Sequence, residues 1–418
     1  MSRLPTSWAT TTLGEVSYDC LQTVPSEEQS FSYIDIAAVD REIKQISSPQ
    51  KLIGKDAPSR ARKLIAKGDV LVSMTRPNLN AVALVPKELD GEIASTGFDV
   101  LRASEIDPRW IFYTVRSTRF IERMCELVQG ALYPAVRGKD IRSYEIPLAP
   151  LPEQKRIADK LDSVLARVDA CRDRLDRLPA LLKRFRLSIL AAATSGRLTE
   201  DWREQNAIGN ESWNYPMISD LVAIKNGRAF PSADYADEGV RLIRPGNLHH
   251  SGSVQWSSKN TTHLPESYAQ EFPTFLLGKG ELLMNLTAQS LKDDFLGRVC
   301  LKTDSVPALL NQRICAFYSK SSSDIRPYLF VYFRSPVFRS YVETLDSGTL
   351  IKHMHTKQLL SHVIPVPTEN EQTEIVRRVE ILFAFADRLE ARLATARRQV
   401  GQLTPALLAK AFRGELVA

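Results

Sequence analysis

Apolar residues recur four and three positions apart, in alternation, at Ile157, Leu161, Val164, Val168, Cys171, Leu175, Leu178, Leu182, Phe185 and Ile189. The same alternation returns at Ile375, Val379, Leu382, Ala386, Leu389, Leu393, Ala396, Val400, Leu403 and Leu407. Charged residues fill many of the positions between. This is a heptad seam, which predicts two long amphipathic helices that each need a partner to bury the stripe. The simplest partner for each is the other. Taken alone, such a seam describes a coiled-coil hairpin that only holds a shape. The start and stop signals agree with the helices. Pro152 suits a first helical position, where its missing N–H costs little. Thr368 and Glu371 have capping-box spacing, and Gly196 and Gly414 suit the left-handed residue that closes a helix. Pro179 and Pro405 should kink or end the helices locally.

The two helices are copies within one long repeat. Ile146-Pro147 aligns with Ile364-Pro365, an offset of 364 − 146 = 218. That offset carries Glu153-Gln154 onto Glu371-Gln372, Asp169 onto Asp387, Gly196 onto Gly414 and Leu198 onto Leu416 without a gap. A repeat of this length organises the whole chain. Before each helix lies a mixed segment. In the first, Ser32 to Asp40 and Ala81 to Pro86 read as strands, Lys67 to Met74 as a turn and buried strand, and Arg109 to Leu127 as helical. A polar loop, Thr75 to Asn80, follows the buried strand, and Gly130 to Arg137 forms a second loop. In the second segment Lys279 to Leu286 matches Lys67 to Met74, Arg334-Ser335 matches Arg116-Ser117, and Gly348-x-Leu350 matches Gly130-x-Leu132. The front halves, Pro25 to Lys63 and Ala233 to Pro273, share little. A common scaffold with divergent loops is how a fold varies what it binds. The expected fold is α+β: two similar mixed domains and two long helices paired with each other, with approximate two-fold internal symmetry. The expected boundaries are 1–148, 149–200, 201–366 and 367–418.

Composition narrows the function by exclusion. A chain of 418 residues with 44% hydrophobic and 25% charged content is ordinary for a folded protein of several domains. The net charge of +6 permits nucleic acid without requiring it. Five cysteines without a C-x-x-C pair argue against a disulfide framework or a zinc site. No signal-peptide core or long apolar run is present, so the expectation is a cytoplasmic protein without membrane spans. No phosphate loop, dinucleotide fingerprint, H-E-x-x-H or G-x-S-x-G is found. Nor is there an Asn-Pro-Pro-aromatic or Asp-Pro-Pro-aromatic run of the kind amino-methyltransferases use. All six histidines fall in the second half. His353 and His355 have no nearby acidic or cysteine ligand in register and make a weak metal pair.

Nucleic acid suits the polar loops better, because Arg and Lys contact guanine edges and phosphates while Asn and Gln pair with adenine. In the first segment the candidates are Arg60, Arg62, Lys63, Arg76, Asn78, Asn80 and Arg137. In the second they are Arg244, Asn247, Asn285, Gln289, Lys292, Arg298, Lys352 and Lys357. Any one of them, alone, reads as a solvated surface residue.

The run from Pro147 through Glu153-Gln154, Ile157, Leu161 and Asp169 to Gly196-Arg197-Leu198 closely resembles the long helix of the specificity subunit of type I restriction–modification systems. So does its second copy, from Pro365 through Glu371-Gln372 and Ile375 to Phe412-Arg413-Gly414-Glu415-Leu416. Domain–helix–domain–helix order is shared across nearly the whole chain. The second copy departs at Pro367-Thr368-Glu369-Asn370, which alters the capping and keeps the Glu-Gln register. The resemblance implies a subunit with no catalytic residues and no cofactor of its own. Each mixed domain would be a target-recognition domain reading one half of a split double-stranded DNA site. The antiparallel helices, about 60 Å for about 40 residues, would set the spacing and dock two modification subunits. Those partners would bring S-adenosylmethionine and methylate adenine at N6 after flipping it, and motor-nuclease restriction subunits are a further partner the family allows. A protein-binding scaffold and a stand-alone nuclease with an unrecognised motif are the alternatives.

Overall fold

The computed structural model describes residues 4–128, 134–209, 212–291, 294–345 and 352–416. The chain falls into two compact units, residues 1–177 with 393–418, and residues 178–392. Each unit is therefore one mixed domain together with a stretch of each long helix.

The first unit contains a four-stranded sheet ordered Val82–Leu84, Val70–Ser73, Phe98–Ala103, Ser17–Tyr18. A second sheet runs Leu21–Gln22, Ala61–Leu64, Ile93–Ser95, Ser30–Ile34, Gln50–Ile53, with Ile93–Ser95 parallel to Ser30–Ile34. The buried strand expected after Gly68 is there because Val70, Leu71 and Val72 are apolar on both faces and fully enclosed. The helical spacing from Arg109 resolves into two helices, Pro108–Val115 and Thr118–Glu126, capped by the side chains of Asp107 and Ser117.

The second unit repeats this plan. Its four-stranded sheet is Val299–Leu301, Leu282–Asn285, Ile314–Ser319, Val222–Asn226. Its other sheet again holds one parallel pair, Val240–Ile243 beside Ala308–Leu310. Two helices follow, Arg326–Tyr332 and Pro336–Thr344.

The long helices are Leu151–Thr194 and Glu369–Ala411. In the first unit Ile157, Leu161 and Leu165 enter the domain core with Trp110, Ile111 and Leu408. In the second unit Ile375, Val379, Ile189 and Leu190 enter a core with Tyr328, Leu329 and Phe338. Within the first unit Arg397 pairs with Asp176 at 2.6 Å, and within the second Arg186 pairs with Glu390 at 2.7 Å and with Asp387. In the first unit the earlier Leu161 shares a core with Leu408 while the later Asp176 meets Arg397, so there the helices run antiparallel. Val168, Leu182, Leu393 and Val400 are buried on the seam, and Val164, Leu175, Leu382 and Leu389 are half-buried. Leu178 departs from the expectation at 38% exposed, one residue before Pro179. Both helices continue through Pro179 and Pro405; each proline removes a single ladder bond, which the flanking turns tolerate.

The repeated residues have structural causes. Ile146 and Ile364 are fully buried, and the carbonyls of Pro147 and Pro365 accept hydrogen bonds from Trp110 Nε1 (2.9 Å) and Tyr328 OH (2.6 Å). Gln154 Nε2 donates to the Ala149 carbonyl and Gln372 Nε2 to that of Pro367, both at 2.8 Å, tying each helix start to the segment just before it. Glu153 accepts from Trp8 Nε1 at 3.1 Å and Glu371 from Trp213 Nε1 at 3.0 Å. Glu371 also accepts from Arg203 (2.6 Å) and Thr199 (2.7 Å) and is fully buried. Its carboxylate therefore serves these long-range partners, which displaces the capping box expected with Thr368. Gly196 and Gly414 close the helices at φ +79° and +75°.

Candidate nucleic-acid interface

In the first unit the strand Val70–Ser73 delivers a polar turn to one edge. Thr75 bridges to Ala135, the Val136 amide donates to the Met74 carbonyl at 2.8 Å, and the Arg76 amide donates to the Pro134 carbonyl at 2.7 Å. The two predicted loops are thereby joined, and Arg76, Asn78 and Arg137 are exposed along them. The Thr96 amide donates to the Arg60 carbonyl and the Met74 amide to that of Gly97, so exposed Arg60 belongs to the same edge. Arg62 is half-buried with its guanidinium on the Ala61 carbonyl at 2.8 Å.

The second unit makes the same join one repeat later. Thr287 pairs with His353 and Ala288 with Lys352, and the Met354 amide donates to the Leu286 carbonyl at 2.9 Å. Gln289 and Lys357 are exposed here. Thr356 Oγ1 donates to Asn226 at 3.1 Å, which brings the Lys357 turn to the end of strand Val222–Asn226. Exposed Arg244 donates to Thr262 at 3.1 Å and lies over the Tyr235 ring at 5.4 Å. Lys292 lies outside the described residues, as do Gly130 to Tyr133 and Gly348 to Leu350.

Four candidates are not available to a ligand. Lys63 is buried and paired with Asp19 at 3.1 Å. Asn80 is buried, with Nδ2 on the Val115 carbonyl at 2.8 Å. Asn247 is fully buried, capping its own turn through the Arg244 amide at 2.8 Å and donating to the Gln255 and Asn260 carbonyls. Asn285 is fully buried and donates to the carbonyls of Thr287 (2.7 Å) and Phe295 (2.9 Å). These amides satisfy buried backbone groups of the loops. They shape the interface without touching its surface. Arg298 is likewise held, by Asp294, by the Leu248 carbonyl at 3.2 Å, and over Phe295.

Two arginines missed by sequence reasoning belong to the edge. Arg228 is exposed, follows strand Val222–Asn226 and stacks on Phe272 at 4.2 Å. Arg313 is exposed, and its carbonyl accepts from the Leu286 amide at 2.9 Å. The signal was the polar Asn311-Gln312-Arg313 turn ahead of a buried strand. In the first unit the matching turn before Phe98–Ala103 is Ser95-Thr96-Gly97. His353 and His355 stand 4.8 Å apart, ring to ring, and no cluster of three metal-ligating side chains occurs among the described residues.

A family model described as type I restriction modification DNA specificity domain matches residues 5–180 and again 210–396. The chain belongs to that family. It is similar to the EcoKI specificity subunit of Escherichia coli K12, with 32% identity over 85% of this chain and 76% of the relative. It is also similar to the StySPI specificity subunit of Salmonella potsdam, 29% identical over 100% of this chain and 90% of that one. Among solved structures, a chain from a type I R-M system, solved to explain complex assembly and conformational transition, superposes with a TM-score of 0.79. It is 28% identical and is covered over 100% of its length, with 99% of this chain. The HsdS subunit of Thermoanaerobacter tengcongensis gives 0.67 at 28% identity, over 98% of its chain and 99% of this one. Each match of the family model spans one mixed domain and most of a long helix, the same repeat that the offset of 218 defines. No helix among the described residues is long and apolar enough to cross a membrane.

Proposed function

We propose that this chain is the DNA sequence-specificity subunit of a type I restriction–modification complex, each unit reading one half of a gapped, two-part site. The observation that carries this reading is one scaffold used twice with different side chains at the corresponding loops. The first unit offers Arg60, Arg76, Asn78 and Arg137, and the second Arg228, Arg244, Gln289, Arg313 and Lys357. Arginine, asparagine and glutamine on rigidly tied loops are the side chains that read base edges in the major groove.

The chain reads and does not react. Two modification subunits bind along the long helices, carry S-adenosylmethionine, and methylate adenine at N6 in the DNA that this chain selects. Motor-nuclease restriction subunits join the same assembly to cleave unmodified sites. The length of the helices fixes the unread spacer between the half-sites. The test is a binding selection from random duplex DNA on the complex of this chain with its modification subunit. A two-part gapped motif, one half of which changes when residues 1–145 are exchanged for another such domain, supports the reading. A change in both halves, or no motif, overturns it.

A further inference from the structure

A hairpin follows the parallel strand and a short 3-10 turn in both units, and in each it lies towards a half-buried arginine at the end of a helix. In the second unit that arginine is Arg334. It lies over Phe330 at 4.8 Å and Phe383 at 5.1 Å, and it donates to the Ser251 carbonyl at 3.2 Å. The hairpin between Leu248 and Val254 fits only because Gly252, at φ +92°, lacks a side chain; a Cβ there would lie 2.7 Å from Phe330 and 3.2 Å from Arg334. Its tip, His249 to Ser253, carries no lysine or arginine.

The first unit solves the same position differently. The equivalent arginine is Arg116, over Phe112 at 4.8 Å and Tyr113 at 5.4 Å, with its Nε buried and unpartnered. The hairpin pairing Val39–Asp40 with Gln45–Ile46 brings Arg41 and Lys44. Lys44, at φ 59°, donates to the Asn80 carbonyl at 2.6 Å, and Asn80 in turn holds the Val115 carbonyl beside Arg116. Of the nearby acids, Glu42 on the same tip is exposed and faces a pocket lined by Arg172 and Asp176, and the others are already engaged. Asp40 accepts the amides of Glu42 (2.8 Å) and Ile43 (3.1 Å). On the long helix Asp162 is taken by Tyr113 and by Arg109 at 2.7 Å, and Asp169 by Arg172 at 3.0 Å. Lys44 is thus tied through Asn80 to the Val115 carbonyl next to Arg116, with Arg41 on the same hairpin tip, where the second unit places a backbone acceptor.

We infer that Arg41, Lys44 and Arg116 form an anion site in the first unit, which grips a backbone phosphate of the DNA beside the half-site that this unit reads, and that the second unit has no counterpart among its described residues. The inference rests on the reading of the chain as a DNA-specificity subunit. The placement supports it: Lys44 anchors the end of the loop that exposes Arg76 and Asn78 along with Thr75 and Leu79. A loop entering a groove about 12 Å wide brings its base level with the phosphates of the rim. Burial, followed by the charges of Arg116 and Arg41 and opposed by Asp40, holds the Lys44 amine down to about 8. Arg116 is itself lowered by burial, with Tyr113, Asp169 and Asp162 opposing and Arg172 adding to the shift. An anion here favours the charged lysine.

The experiment measures binding of a cognate duplex by the assembled complex, as a function of salt and pH, for the natural chain, Lys44→Gln and Lys44→Arg. Lys44→Gln lowers affinity about tenfold for every first-half sequence and reduces the log–log salt slope by about 0.9. Ethylation of one phosphate beside the first half-site interferes with the natural chain and ceases to interfere with Lys44→Gln. Affinity of the natural chain falls from about pH 7.5 to 9 as the lysine loses its proton, whereas Lys44→Arg stays flat across that range. An unchanged slope and ethylation pattern in a folded Lys44→Gln complex that still binds specifically overturns the site alone. Should Lys44→Gln fail to fold, an identical pH profile for the natural chain and Lys44→Arg overturns it. Absence of specific binding by the natural complex overturns both this site and the reading beneath it.

Discussion

Replacing Glu371 by alanine separates two copies of the same motif by their burial. Glu371 and Arg203 have side chains 0% and 8% exposed and meet at 2.6 Å. Thr199 and Trp213 complete the carboxylate's shell at 2.7 and 3.0 Å. Without Glu371 the Arg203 guanidinium stays buried with only Thr199 as a side-chain contact, and its Nε already lacks a partner. Breaking a buried pair on one side costs about 3–5 kcal/mol, which is roughly a hundredfold to several thousandfold in the folded-to-unfolded ratio. In a unit of this size that lowers the transition by about 6 to 20 °C. The equivalent Glu153 is 25% exposed, with Trp8 at 3.1 Å and only a distant Arg156 at 3.9 Å. Glu153→Ala therefore costs about 1 kcal/mol. Scanning calorimetry of the two variants reads the difference directly. The double variant Glu371→Leu with Arg203→Met recovers most of the loss, since removing both charges also removes their desolvation cost. Equal shifts for Glu153→Ala and Glu371→Ala, or a double variant worse than Glu371→Ala, would refute the reasoning.

Further outcomes follow from the same contacts. Asn247→Ala and Asn285→Ala each lower stability by about 1–3 kcal/mol, while Arg244→Ala and Gln289→Ala stay within about 0.5 kcal/mol and relax the second half-site; melting curves beside a binding selection check the pattern, and its reversal refutes it. On the seam, Ile375→Ala costs about 2–5 kcal/mol, and Leu178→Ala under about 1 kcal/mol, measured by urea unfolding. Hydrogen bonds from Arg377 and Arg378 bring the Glu374 carboxyl from its ordinary 4.5 down to about 2. Its ionised form therefore stabilises the fold above pH 4.5 and that stabilisation is lost as pH falls towards 2; Glu374→Gln flattens this acid limb, and an unaltered limb in acid titrations contradicts the assignment.

The helices were legible because a heptad seam is periodic and needs nothing beyond its own segment. The repeat was legible because Ile146-Pro147, Glu153-Gln154 and Gly196 recur in one register. What each of these does was not, since the partners lie far along the chain: Glu371 meets Thr199 and Arg203 across 172 and 168 residues. That long-range network is also why the local capping signal at Thr368 misled. The interface was legible as loops and less so as residues. An asparagine in a polar loop looks alike whether it faces a base or a buried carbonyl, so Asn80, Asn247 and Asn285 could not be told from Asn78. Arg228 and Arg313 escaped notice because they flank strands instead of filling a loop, and only the sheet order brings their turns to the edge. Arg116 and Arg334 were visible as a repeated pair, but their different partners depend on two hairpins with no sequence in common.

The most direct test of the central claim is a map of N6-methyladenine. This chain is co-expressed with its modification subunit in a methylation-free host, once in natural form and once with Arg76→Ala and Asn78→Ala together. The account predicts a gapped two-part motif that requires the chain, with only one half relaxed by the double substitution. Methylation that persists without the chain, or a double substitution that alters both halves, would contradict it.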